Sequence, residues 1–148
     1  MKIYLDTCSL QRPLDDRRQL RISLEAEAVL GIIKLIEEKK IELVSSEPLL
    51  YEISNIPNRI RKNYGLYILN KAVNFIKINY KVERLAGKFI EFGIEPLDAL
   101  HLAAAEASFS DYFCTTDDKL LRKTKAIKNL YTKTLDPIEF IKEIDNEY

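Results

Sequence analysis

Apolar positions along the chain switch between short continuous runs and helical spacing. Ile3-Tyr4-Leu5 stops at Asp6 and gives way to a polar, proline-containing stretch through Gln11, Arg12, Pro13, Asp15 and Asp16, which predicts a strand followed by a loop. Val29, Ile32, Ile33 and Ile36 then recur at i, i+3, i+4 and i+7, and Glu37-Glu38-Lys39-Lys40 closes an amphipathic helix. Ile41 to Val44 predicts a second strand. Ser45 or Ser46 can cap the next helix, which carries Glu47 and Pro48 in its first turn and Glu52 further along. Ile68, Ala72, Phe75 and Ile76 mark a further helix, and Val82, Leu85, Ala86, Phe89 and Ile90 another.

After Gly93, Glu95-Pro96-Leu97-Asp98 opens an alanine-rich helix that runs to about Ala107. Tyr112 to Thr115 is a short β-prone segment ending at Asp117-Asp118. A last strand is expected near Leu130-Tyr131-Thr132, before a helix that starts around Asp136-Pro137 and ends the chain. Strands alternating with helices predict an α/β fold with a parallel sheet covered by helices on both faces.

Composition narrows the class. With 148 residues, 47% hydrophobic and 31% charged, and with no repeat or linker, residues 1–148 are expected to form a single domain. No apolar run approaches the roughly 20 residues of a membrane span, and the first charges arrive too early for a secretion signal, so no membrane association and a cytoplasmic location are expected. Cys8 and Cys114 lie far apart, without a Cys-x-x-Cys or His pair, which argues against zinc and against a disulfide framework. Lys plus Arg equals Asp plus Glu, at 23 each. Any nucleic-acid partner must therefore be met by local patches rather than global charge.

The candidate chemistry lies in the carboxylates. In a parallel sheet the binding crevice lies beyond the carboxyl ends of the strands, where Asp6 and Asp117 are expected. A helix leading into a parallel strand starts over that same edge, which brings Asp98 near Asp117. Glu52 comes about six residues into its helix, roughly 9 Å along the axis, and converges least well. Each acid also has a plainer role: Asp98 as a first-turn carboxylate, Asp117 as a cap or turn residue, Glu52 as an exposed helix residue. Three or four convergent carboxylates would raise one another's pKa unless a cation joined them. Oxygen-only ligands point to Mg²⁺ or Mn²⁺, and such a site suits phosphodiester hydrolysis.

Other residues flank this set. His101, the single histidine, lies one helical turn after Asp98, where it either contacts the pocket or substrate or is simply structural. Arg12, Arg17, Arg18 and Arg21 follow Asp6, and Lys119, Arg122, Lys123, Lys125 and Lys128 follow Asp117. Both runs could meet nucleic-acid phosphates, although charge runs are usually solvated surface. Tyr64, Tyr67 and Tyr80 suit core packing or a dimer surface better than base stacking. Cys8 and Cys114 are expected as buried small hydrophobes on neighbouring strands.

Four segments in order resemble the PIN-domain nucleases, a family that includes the ribonuclease toxins of toxin–antitoxin pairs. They are Tyr4-Leu5-Asp6-Thr7, Leu49-Leu50-Tyr51-Glu52-Ile53, Pro96-Leu97-Asp98-Ala99-Leu100-His101-Leu102-Ala103-Ala104-Ala105, and Thr115-Thr116-Asp117. Leu135-Asp136-Pro137-Ile138-Glu139-Phe140 resembles the family's carboxyl-terminal strand-to-helix junction. The resemblance implies a central parallel sheet of about five strands and an acidic pocket that cuts single-stranded or looped RNA. It implies that Asp6, Asp98 and Asp117 hold metal, that Glu52 completes the pocket or orients water, and that Thr7, Ser9 and Thr115 support them. Many relatives carry Asn where this chain has Cys8. Asp118 competes with Asp117 for the place of the fourth acid, and Asp117 is favoured. An antitoxin is the protein partner it implies, and a homodimer is a further candidate because symmetric dimers are common among such small domains. Two rivals compete: a non-catalytic PIN domain that binds RNA or a partner, and a receiver-like Mg²⁺-binding signalling module.

Overall fold

The computed structural model of the chain describes residues 1–145, and the last three residues of the expected domain lie outside the described residues. β1 (Lys2–Leu5), β2 (Glu42–Ser46), β3 (Asn74–Ile76), β4 (Tyr112–Cys114) and β5 (Lys133–Leu135) form one sheet in the order β3-β2-β1-β4-β5. Every pairing is parallel. Such a sheet is covered on both faces, so its inner strands are apolar throughout instead of alternating: Ile3, Tyr4, Leu5, Leu43, Val44, Phe113 and Cys114 are all fully buried.

The register shows what covers each face. Tyr4 lies opposite Phe113 and Ile3 opposite Tyr112. Tyr4 stacks on Phe113 with ring centroids 5.6 Å apart and bonds His101 of α6 (Pro96–Ala107). Tyr112 meets Phe140 of α8 (Pro137–Asp145) edge-on at 5.1 Å. α6 and its neighbour α5 (Tyr80–Glu91) therefore cover the Tyr4 face, and α8 with α2 (Leu20–Glu37) covers the other.

Three elements differ from the sequence expectation. The stretch after Asp6 is not a loop: Asp6 caps a short helix, α1 (Thr7–Gln11), and a 3-10 turn over Arg12–Leu14 follows. The apolar positions from Ile68 to Ile76 do not share one helix. α4 (Arg59–Leu69) takes in Ile68 but ends before Ala72, and Asn74–Ile76 is the edge strand β3, with Phe75 47% exposed; so short an apolar run does not separate the two periods. The last strand begins later than expected. The amides of Tyr131 and Thr132 donate to the Glu106 carboxylate, at 2.8 and 3.0 Å, so pairing with the β4 side starts only at Lys133.

Strand order reverses at β1, with β2 on one side and β4 on the other. That switch point is where a parallel sheet leaves a crevice beyond its carboxyl ends. The order also differs from the 2-1-3-4-5 of receiver-like modules, which removes that rival.

Candidate functional site

Asp6 follows the last residue of β1 and is buried. As the cap of α1 it accepts from the Ser9 amide at 3.0 Å, while its own amide donates to the Cys114 carbonyl across the switch point at 3.2 Å. The Thr115 hydroxyl bonds the Asp6 carboxylate and also accepts from the Asp117 amide at 3.1 Å. One threonine thus ties the two acids that end neighbouring strands. The Ser9 hydroxyl donates to the Cys114 carbonyl at 3.1 Å and holds the same junction. Asp117 caps α7 (Asp118–Lys125) through Oδ1, which accepts from the amides of Lys119 and Leu120 at 3.0 and 3.1 Å.

Glu52 reaches the same edge from α3 (Glu47–Ser54), whose cap is Ser46 at the end of β2. Its Oε1 lies 3.0 Å from His101 Nε2 and also accepts from the Thr7 hydroxyl. His101 Nδ1 is 2.7 Å from the Tyr4 hydroxyl, which is 2.6 Å from the Ser46 hydroxyl. A polar chain therefore runs from β2 through β1 and α6 to Glu52. Burial pushes the Glu52 carboxyl up, but the bonds from His101 and Thr7 more than offset it and hold the pKa below the ordinary value.

Asp98 stands in the first turn of α6. Burial first, then repulsion by Asp6, Asp117 and Glu52 against an opposing pull from His101, raises its pKa to about 6. Cys8, although exposed at the cleft, is pushed up to about 12 by the protein packed around its thiol and by the same four acids. These two groups mark where the fields of Asp6, Glu52, Asp98 and Asp117 overlap. Burial raises Asp6 as well, with Thr115 and Ser9 opposing.

Glu52 and Asp117 line a cleft of about 560 Å³ together with Thr7, Cys8, Gln11, Arg12, Asp15, Arg61 and Thr116. Asp98, Asp117 and Lys119 line a small recess of about 30 Å³ beside it, so Asp117 stands on the boundary of the two. A larger groove of about 700 Å³ along α4 and β3 holds none of the acids and lies apart from this chemistry. Among the described residues no three His, Cys, Asp or Glu side chains form a ready metal cage. Mg²⁺ and Mn²⁺ do not need one, because Mg²⁺ is typically taken by one or two carboxylates, keeps several waters and uses substrate phosphates for the rest. The oxygen-only donors around Asp98 fit that pattern and do not fit zinc.

The remaining expected residues divide. Arg12 lines the larger cleft and Lys119 the small recess, whereas Arg17 pairs with Glu27 and the Pro13 carbonyl, and Arg122 is exposed on α7. Asp118 points away to Arg21, with one oxygen at 2.6 Å. Tyr64 packs against the core, while Tyr67 and Tyr80 are exposed. Cys114 is buried in β4, but Cys8 sits exposed on α1 rather than buried on a strand.

The family model of the PIN domain matches residues 3–126, most of the chain and all four acids. The chain belongs to the PIN-domain family. Members of that family are generally nucleases. None of the curated proteins compared matches it in sequence. Among solved structures, this PIN domain resembles VapBC2 from Rickettsia felis, crystallised bound to a DNA fragment from its promoter. The TM-score is 0.58 at 17% identity, covering 92% of this chain and 100% of that one. It also resembles PAE2754 from Pyrobaculum aerophilum, with a TM-score of 0.56 at 16% identity over 99% of this chain and 90% of that one. At such identities the likeness concerns the fold.

Sequence reading missed several residues that shape the site of this PIN domain: Tyr4 and Ser46, which hold His101, and Gln11 and Arg61 on the cleft wall. Tyr4 and Ser46 sit in strand-like stretches where a polar group announces nothing about its partner. Arg61 lies in the basic run Arg59-Ile60-Arg61-Lys62, which carries no local sign that one member faces a cleft.

Proposed function

We propose that this PIN domain is a Mg²⁺- or Mn²⁺-dependent endoribonuclease that cuts single-stranded or looped RNA at the crevice between β1 and β4. The observation that carries the reading is the convergence of Asp6, Glu52, Asp98 and Asp117 on the sheet's switch point, where Glu52 and Asp117 share one cleft and Asp98 and Asp117 the recess beside it, with burial and the other three carboxylates raising the Asp98 pKa. Such a cluster is costly without a cation and useful with one. Asp6, Asp98 and Asp117 would hold the ion. When bound, a divalent ion supplies a water of lowered pKa and offsets charge on the phosphate. Glu52, fixed by Thr7 and His101, presents an ionised carboxylate that accepts a hydrogen bond from a water and orients it. Thr115 and Ser9 keep Asp6 and Asp117 in register.

The likeness to VapBC2 supports a role as the toxin of a toxin–antitoxin pair, with an antitoxin protein as partner and action in the cytoplasm. Among the described residues no helix is long and apolar enough to cross a membrane. A homodimer is the assembly expected of so small a domain.

Cleavage of a labelled, structured RNA with Mn²⁺, with Mg²⁺ and with EDTA tests the reading, with Asp6→Asn run beside the wild type. Cutting by the wild type alone, and only with metal, is the expected result. An inert wild type that shows no thermal shift with Mn²⁺ would overturn it.

A further inference from the structure

The cleft that holds Glu52 and Asp117 is also lined by cationic side chains. Arg12, from the 3-10 turn, and Arg61, from α4, both line it and converge on one carboxylate: Asp15 Oδ2 lies 2.9 Å from Arg12 Nη1, and Asp15 Oδ1 lies 2.9 Å from an Arg61 Nη2. Arg12 is also braced from behind by Glu25, which is almost wholly buried, at 3.2 Å. Arg61 is braced by two backbone contacts, its Nη2 donating to the Leu14 carbonyl at 3.0 Å and its own carbonyl accepting from Gln11 Nε2 at 3.0 Å. Gln11 is itself buried and lines the same cleft. α4 can come this close because residue 65 is glycine: a Cβ there would stand 2.7 Å from Ile53 and 3.0 Å from Gln11 Nε2.

An RNA strand entering this cleft meets carboxylates and must have its own charge met by cations. Arg17, Arg18 and Arg21 are paired with Glu27, Asp16 and Asp118 and do not line the cleft. Arg12 and Arg61 do, and two forked guanidinium groups aimed at one anion are the geometry that grips phosphate. Asp15, 28% exposed, can swing into solvent.

We propose that Arg12 and Arg61 form a seat for an RNA backbone phosphate next to the scissile one, in which the Asp15 carboxylate is an internal occupant that the RNA displaces. The seat deepens the nuclease reading and rests on it for its place in catalysis. Arg61, which lines the cleft from α4, is the binding residue that sets where the strand lies.

Two variants act in opposite directions. Arg61→Gln removes half the seat and is expected to raise KM for a labelled single-stranded RNA about 10-fold with kcat within about threefold. It should also flatten the dependence of log affinity on log salt by about 0.7. Asp15→Asn removes the competing occupant and is expected to lower KM. A merely structural bridge predicts instead that both variants lose thermal stability and that neither gains affinity. Equilibrium binding of the same RNA in Ca²⁺ is measured alongside. If the wild type binds but never cuts, the nuclease reading fails while Arg61→Gln and Asp15→Asn still report on the seat. If the wild type cuts and Asp6→Asn does not, yet both seat variants bind as the wild type does, the seat is overturned and the nuclease reading stands. Should Arg61→Gln fail to fold, a KM for Asp15→Asn that is unchanged or raised overturns the seat by itself.

Discussion

His101 Nε2 lies 3.0 Å from Glu52 Oε1, in a cluster that buries the histidine almost completely. A carboxylate can only accept, so Nε2 carries a proton; in that neutral tautomer Nδ1 accepts from the Tyr4 hydroxyl, which in turn accepts from Ser46. The chain runs in one direction and ends on Glu52. His101 therefore acts on the site through Glu52, holding its carboxylate ionised and aimed at the cleft.

His101→Ala leaves the buried Tyr4 hydroxyl short of an acceptor and Glu52 short of a donor. Unsatisfied buried groups cost about 1–3 kcal/mol, so urea unfolding should show a loss of that size. The Glu52 pKa, followed by carbon NMR, should rise, since the bond from His101 is a main cause of its depression.

Asp117 and Asp118 are separable. Asp118 is held by Arg21 on the exposed side of α7, while Asp117 faces the cleft and the recess. Asp117→Asn keeps the side-chain oxygen that caps α7 but removes the charge, and should lower cleavage roughly 100-fold. Asp118→Asn should leave cleavage within about threefold. Equal losses in a single-turnover assay would mean that the fourth acid is misassigned.

Asp98 links pH to stability. Its folded pKa, raised from 3.8 to about 6, means that the folded state binds the proton more tightly than the unfolded one. Its contribution to stability is therefore present at low pH and is lost as pH rises through about 6. In EDTA, the stability of the wild type relative to Asp98→Asn should fall between pH 4 and pH 7, and Mn²⁺ should remove most of the difference. Thermal melts of both proteins across that range check it.

Gly65→Ala tests the close approach of α4. The new methyl would meet Ile53 at 2.7 Å and Gln11 at 3.0 Å, and overpacking of this kind costs about 1–3 kcal/mol. A lowered Tm together with a raised KM for RNA is the expected outcome, because α4 carries Arg61. A stabilised protein would mean that the helices part without cost.

The alternation of strands and helices, the parallel sheet and the order of the four acids follow from the sequence alone, because strand ends and helix starts are marked locally. Ile3-Tyr4-Leu5 running into Asp6, and Pro96 two residues before Asp98, place those acids before any contact is known. The short strand β3 was hidden, since three residues at an edge carry too little pattern to outweigh the helical spacing around Ile68. Tertiary structure alone decided that Glu52 is clamped by Thr7 and His101, that Asp118 turns away to Arg21, and that Arg12 and Arg61 meet across Asp15. Each of these joins residues far apart in the chain, or chooses between neighbours of identical chemistry. Periodicity and composition register only what lies within a few residues, so such pairings become visible once the sheet has closed.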